Sequence, residues 1–546
     1  MRFEEELKQK IESIEARYYI TVVSVFVCGL LAHLYQFTNK NFNYDELGQT
    51  PAGFGAGVSL GRWGLQLIGD TVGFFFRTYS IPMVNGMITL LFIALSSAYI
   101  VKAFDITDKV CCSLIGGILA TFPALVSTYF FMFTAPYYGC AMLLSCMAGC
   151  LFIEGADKAV INKYSDKKLL SKDVVIKGLA GLACLTLATA IYQSYCSVTL
   201  CILLIDVVLD FYNNGEILGD NKGNGAFLSI IVVKGVAYCI EFGISLGFYL
   251  VGTKVAVNIT GIQLDDYRGM SSIGSMDIRG LIMALKTTYK NWLLLMTPRD
   301  VYQINPIYVI NFIFIILNGV LLLYVIRRLL KDDNVIKKMM FMLLVGLLPV
   351  ATFFPEMLTQ GVGGVYSIMT YSSAFTIILP IVLYDRTDVS FYNNNKDYVG
   401  RIMCPAVFMC ILVYIWFANG NYQVLQYTTY HDLAYFETLA TQVKSLDGYE
   451  ADMPVAFVGG GFNDPTFSSG GLMDSYFDIE GKWPTNVNYF NNVYLWTSYL
   501  GYTPEIIEFR DSYYLKEIDE INKMPCYPND GSIAIIDGMV VIKASE

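Results

Sequence analysis

The stretch Asn43-Tyr44-Asp45-Glu46 sets two adjacent carboxylates just beyond the first apolar run of the chain, Tyr18 to Phe37. A carboxylate whose proton affinity is tuned by burial and neighbours can take the proton of a hydroxyl while that hydroxyl attacks an electrophilic carbon. The group that leaves needs no acid if a fixed cation meets its growing charge. Arg62, Arg77, Arg268 and Arg299 lie in the two long stretches between apolar runs and are candidates for that role. Two plainer readings stand beside these. An isolated acidic pair is about as often a solvated loop. Basic residues near a bilayer more often meet lipid headgroups.

The elements that would hold these groups are membrane helices. Fifty-five per cent of the 546 residues are hydrophobic and only 15% are charged, far from the balance of a soluble domain. Apolar runs of spanning length lie near 18–37, 81–101, 110–130, 136–153, 174–192, 195–211, 226–251, 306–326, 338–354, 367–384 and 400–418, about eleven helices. Loop charge sets their direction. Arg2, Lys8, Lys10 and Arg17 precede the first run. Alternate loops then carry Lys158, Lys163, Lys167, Lys168 and Lys172, next Arg327, Arg328, Lys331, Lys337 and Lys338, and last Arg386, Lys396 and Arg401. The turns at 131–135 and 355–366 carry no Lys or Arg, so the threading predicts the N-terminus inside, with Asp45, Glu46 and the C-terminus outside. Its weak point is Tyr192-Gln193-Ser194-Tyr195, where two spans are joined by almost nothing. Reading 174–211 as one broken segment would carry the basic loop at 327–338 outside, and is rejected on that ground.

The fold expected is a polytopic α-helical membrane protein, with a transmembrane domain over 1–418 and a soluble, extracytoplasmic α/β domain over 419–546. Outer loops 38–80 and 252–305 are long enough to hold structure. In the first, Leu60, Trp63, Leu67 and Phe74 share a helical face, with Arg62, Gln66, Asp70 and Arg77 on another. In the second, Asp277 would cap a helix whose stripe is Ile278, Leu281, Leu285, Tyr289, Trp292 and Met296, beside Arg279, Lys286 and Lys290. Both read as helices lying in the membrane interface, and Trp63, Tyr289 and Trp292 as interfacial anchors. In the C-terminal domain, Asp432 is expected to cap a helix carrying Leu433, Phe436, Leu439, Ala440, Val443 and Leu446 and ended by Gly448. Pro454 to Gly459 reads as a buried strand and a turn, and Asp537-Gly538 between two apolar runs as a hairpin.

Several chemistries are excluded. The only histidines are His33, read as a packing residue, and His431, so Ser-His-Asp triads and multi-histidine metal sites are poorly supported. No C-x-x-C, phosphate-binding P-loop or D-x-D motif occurs, and Gly459-Gly460-Gly461 lacks dinucleotide spacing. Twelve of the 13 cysteines fall in or against spans as apolar fillers, leaving Cys526 without a partner in its domain. A net charge of −10 argues against nucleic acid. No metal ligand set stands out, and the sequence leaves a divalent metal open without indicating one. Outside the cell nucleotide sugars are absent, so a sugar transferase there needs a donor activated by a lipid phosphate.

The run Phe42-Asn-Tyr-Asp-Glu46, then Gly61-Arg62-Trp63, then Tyr192-Gln193, with Met524-Pro525-Cys-Tyr-Pro528, Gly531-Ser532-Ile533 and the last hairpin, resembles the type II O-antigen glucosyltransferase (Gtr) family of the GT-C superfamily, over essentially the whole chain. The resemblance implies an inverting transferase of a bacterial cell membrane. It would take a sugar, typically glucose, from a polyprenyl phosphate and add it to a surface polysaccharide, working with a separate donor synthase and flippase. It assigns the acidic role in the first outer loop to Asp45 or Glu46 without choosing between them. Tyr192, Gln193 and Glu356 would contact sugar hydroxyls; an interhelical hydrogen bond accounts for Gln193 about as well. A polysaccharide or lipid-carrier flippase should show more charge within its spans, where Lys234 and Glu241 are the clear cases, and a non-catalytic scaffold leaves the carboxylates beside cations unexplained.

Overall fold

The computed structural model describes residues 13–49, 57–76, 80–165, 168–212, 224–266, 278–296, short pieces of 312–323, 335–359, 365–386, 398–459, 494–507 and 513–546. Among these, eight helices are long and apolar enough to cross a membrane, and the expected span 306–326 falls largely outside them. The chain enters through α1 (Ala16–Thr38), makes a short helix α2 (Tyr44–Gln49) and a third, α3 (Trp63–Phe76), then crosses in α4 (Pro82–Ala103). The Asp108 side chain accepts from the N–H groups of Val110 and Cys111 and so starts α5 (Lys109–Thr121). Pro123 cannot continue that ladder, and the span resumes after Phe122 as α6 (Pro123–Phe130).

α7 (Ala135–Tyr164) and α8 (Lys172–Ile191) follow; the chain then turns within Gln193–Tyr195 and returns in α9 (Cys196–Tyr212). Ion pairs prove the reversal. Glu154 of α7 holds Lys177, at the start of α8, at 3.0 Å, and one turn on Asp157 meets Lys234 at 2.8 Å, which also binds Asp206 and Asp210 near the end of α9 at 2.7 and 2.5 Å. The start of α8 and the end of α9 therefore share one end of the bundle, as two separate spans require.

Among the described residues there follow α10 (Asn224–Thr260), α11 (Ile278–Met296), α12 (Val335–Gly346), α13 (Leu348–Thr352), α14 (Phe354–Leu358), α15 (Phe375–Asp385), α16 (Tyr398–Lys444) and the short α17 (Asp519–Lys523). Two sequence expectations need trimming here. The run 338–354 is broken at Leu347, ahead of Pro349, and 367–384 becomes α-helical only at Phe375, after 3₁₀ turns at Ser367–Met369 and Tyr371–Ala374. At the bundle end away from α2, Arg17 and Arg386 both reach Asp105, at 2.6 and 3.7 Å, and Asp385 accepts from the N–H groups of Thr107 and Asp108.

α16 corrects the boundary at 418 and the cap at Asp432: one unbroken helix runs through both, because nothing after Pro405 interrupts its ladder. Its first half packs Val407, Cys410, Ile411, Tyr414 and Phe417 into the bundle core. Its last turns carry Phe436, Leu439, Ala440 and Val443, which lie in a second core with Trp496 and a four-stranded sheet of order β2-β1-β4-β3. β1 (Val455–Val458) runs parallel to β2 (Ile506–Ile507) and β4 (Met539–Lys543), and β4 is antiparallel to β3 (Ile533–Ile536). Asp537 and Gly538 at φ 50° and 76° form the expected hairpin turn.

The charge within the spans is greater than the sequence reading counted. Lys234, 1% exposed, has three carboxylates around it, two of them supplied by Asp206 and Asp210 at helical spacing on α9. Removing one partner of a buried ion pair leaves uncompensated charge, a cost of about 3–5 kcal/mol. Lys234→Met is therefore expected to lower the thermal midpoint in detergent markedly, and an unchanged midpoint would mean that the set adds no stability.

Candidate active site

Asn43 shapes the acidic turn. Its Oδ1 accepts from the backbone N–H groups of Asp45 and Glu46, both at 2.9 Å, which caps α2, and its Nδ2 donates to the Phe130 carbonyl at 2.6 Å, which ties that cap to the end of α6. The adjacent carboxylates are thereby sent to different surroundings. Glu46 is fully buried, ion-paired to Lys40 at 2.9 Å and hydrogen-bonded by the Ser80 hydroxyl, which also accepts from Lys40. Asp45 stays half-buried, and no ion pair or side-chain hydrogen bond holds its carboxylate among the described residues. Burial pushes its carboxyl up to about 6, and the opposing pull comes from Arg62.

Arg62 is delivered by a tight loop. Its N–H donates to the Gly57 carbonyl at 2.7 Å, and Gly61 takes φ 70° to make the turn. The guanidinium lies 4.6 Å over the Tyr192 ring, and its Nε has no partner among the described residues. Gln193 holds the loop in place, its Nε2 donating to the Leu60 carbonyl at 2.8 Å and the Tyr249 hydroxyl at 3.1 Å. Asp265 adds a backbone hydrogen bond to Ser59, joining the two long loops. α3 can approach this closely because of glycine on both sides: a Cβ at Gly64 would come 3.0 Å from the Ala190 backbone, and one at Gly252 would strike the Trp63 indole.

Beside Arg62 opens a cavity of about 150 Å³, lined by Leu60, Leu246, Leu250, Pro355, Leu358 and Met369, with Arg62, Gln193 and Tyr249 among its polar members. Glu356, next to that wall, is 3% exposed and accepts a hydrogen bond from Asn291 of α11. Burial pushes its carboxyl up to about 7, against the Asn291 bond.

The structure thus gathers Asp45, Arg62, Tyr192, Gln193 and the Glu356 turn at one end of the bundle. Glu46 is turned away into its ion pair. Arg77, Arg268, Arg299 and Asp277 lie outside the described residues. One sequence reading changes, that of Trp63 as an interfacial anchor; Gln193 takes its hydrogen-bond reading, and the stripes keep their lipid-facing one. Gln193 spends its amide N–H groups on Leu60 and Tyr249, and Trp63 packs inward on α10 with its N–H 3.4 Å from the Tyr249 carbonyl. The stripes assigned to α3 and α11 are largely exposed, Leu67 and Phe74 at 61% and 81%, while Gly64, Leu65 and Gly69, and Ala284 and Thr288, face the protein. Exposed apolar faces still suit helices lying against lipid. Lys40, Ser80, Tyr249 and Asn291 were missed; only Asn43, a capping residue three before a Glu, carried a local signal. His33 is a packing residue as read, bonded to the Tyr422 hydroxyl and the Ala120 carbonyl.

A family model described as glucosyl transferase GtrII matches residues 34–377, more than half of the chain and every described residue of this site. The chain belongs to the GtrII glucosyl transferase family. No curated protein and no solved structure matches it. Family membership together with eight membrane-length helices makes the GtrII protein a membrane glucosyltransferase.

Proposed function

We propose that this GtrII protein transfers a glucosyl group from a polyprenyl phosphate to a surface polysaccharide at the outer membrane face, with inversion and with Asp45 as general base. The observation that carries this reading is a half-buried carboxylate of raised proton affinity within the field of a stacked arginine whose Nε has no partner among the described residues, beside a largely apolar cavity. In the step, the acceptor hydroxyl oxygen bonds to the anomeric carbon while its proton passes to the Asp45 carboxylate. The bond from that carbon to the phosphate oxygen breaks with its electron pair on the oxygen, leaving polyprenyl phosphate as a dianion beside Arg62. The cavity suits the first isoprene units, and Glu356, its carboxyl pushed up to about 7 by burial, suits sugar hydroxyls.

Consumption of labelled polyprenyl-phosphate glucose by the purified protein, with polysaccharide extracted from the producing cells as acceptor, tests the reading. A flippase or a scaffold would leave the donor intact.

Sidedness is a separate expectation. Loop charge puts Asp45 and everything after α16 outside the cytoplasm. Protease added to intact spheroplasts should then release the C-terminal domain, and cutting only after lysis would reverse the threading.

A further inference from the structure

The turn that carries Asp45 is held between two parts of the molecule. On one side it is tied to the bundle, through the Asn43 bond to Phe130 and the Tyr44 ring 6.4 Å from that of Phe131. On the other, the residues flanking the acidic pair, Phe42 and Leu47, are both fully buried, and the core that buries them is that of the C-terminal domain. There the Phe42 ring meets the Tyr499 ring, centroids 4.6 Å apart and tilted by 56°. Tyr499 ends a one-turn π-helical segment, Leu495–Tyr499, whose fully buried Trp496 donates its indole N–H to the Phe436 carbonyl of α16 at 2.9 Å. The Tyr499 hydroxyl also lies within electrostatic reach of Glu46. Because α16 is continuous from the bundle core to Phe436, this clamp is rigidly referenced to the helices that hold Arg62 and Tyr192. Its C-terminal half, Phe436, Trp496 and Tyr499, lies outside residues 34–377, the part that matches the family.

We propose that the C-terminal domain positions the catalytic turn, with Tyr499 as a positioning residue that acts through Phe42 to set the Asp45 carboxylate against the acceptor hydroxyl. The proposal rests on the reading of Asp45 as base. Tyr499 touches no substrate; its ring fixes the angle at which α2 leaves the domain core. Displacement of a reacting group by about 1 Å can cost on the order of a hundredfold in rate, and an unclamped turn would move by at least that much.

The test compares Tyr499→Ala, Tyr499→Phe, Phe42→Leu and Asp45→Asn for consumption of labelled polyprenyl-phosphate glucose, together with donor KM and the protease resistance of the C-terminal domain. Tyr499→Ala should lower kcat by about tenfold to a hundredfold with the donor KM unchanged, Phe42→Leu should follow it in the same direction, and Tyr499→Phe, which keeps the ring, should restore the wild-type rate. A wild-type kcat in Tyr499→Ala beside an inactive Asp45→Asn enzyme overturns the positioning role alone. So does a loss of kcat in both packing variants that merely tracks loss of the protease-resistant domain. An Asp45→Asn enzyme of normal rate instead removes the base assignment, whatever Tyr499 does.

Discussion

Asp45→Asn should reduce transfer by roughly the hundred- to ten-thousand-fold that general base catalysis supplies, with donor affinity nearly intact. The amide keeps the shape and removes the proton acceptor. Because the base works deprotonated, wild-type kcat/KM should fall as pH drops through about 6, the value to which burial raises this carboxyl, and the residual activity of the Asn variant should lack that limb. Stability should move the other way. A carboxyl whose folded pKa is raised is held charged at a cost at every pH above that value, so at pH 7.5 the variant should melt no lower than wild type. Glu46→Gln is the contrast: it breaks the bond to Lys40 in a fully buried place, and its loss of activity should track loss of folded protein. Normal turnover by Asp45→Asn would sink the assignment.

The contrast between neighbours is what the sequence could not supply. Asp45 and Glu46 are equivalent carboxylates in a linear reading, and only the Asn43 cap, by starting α2 between the bundle and the second core, sends one into Lys40 and Ser80 and leaves the other facing Arg62. The eight described membrane-length helices were legible because a bilayer imposes length and apolarity residue by residue. Even the tight turn at Gln193 could be judged from charge alone.

Where tertiary packing overrides local pattern, the reading slipped. Asp432 has the chemistry of a cap, but no proline lies between Pro405 and it and Gly420 does not break the ladder, so α16 runs through. The stripes on α3 and α11 were read as interfacial faces and are exposed, but the sequence reading did not name the small residues, such as Gly64 and Ala284, that mark the protein side. The carboxylates around Lys234 sit on two helices, α7 and α9, and no spacing rule joins Asp157 to Asp206.

Arg62→Gln should show the second large effect, in two readouts at once. Loss of a cation aimed at developing charge typically costs about 10²–10³ in rate, and here donor affinity should weaken as well, because the phosphate is already anionic before transfer. Arg62 is also the group that draws the Asp45 carboxyl down against its burial, so its removal should carry the acidic limb of the pH profile above 6. Arg62→Lys should recover only part of either, since a point charge cannot reproduce the planar stack on Tyr192 4.6 Å away. The two effects separate the roles. A weakened donor with an unmoved limb would leave Arg62 on the phosphate but remove its influence on the base, and a moved limb with full donor binding would give the phosphate to another cation. Wild-type binding together with an unmoved limb would take Arg62 out of the site, and with it the reason for reading the cavity beside it as the place of the lipid.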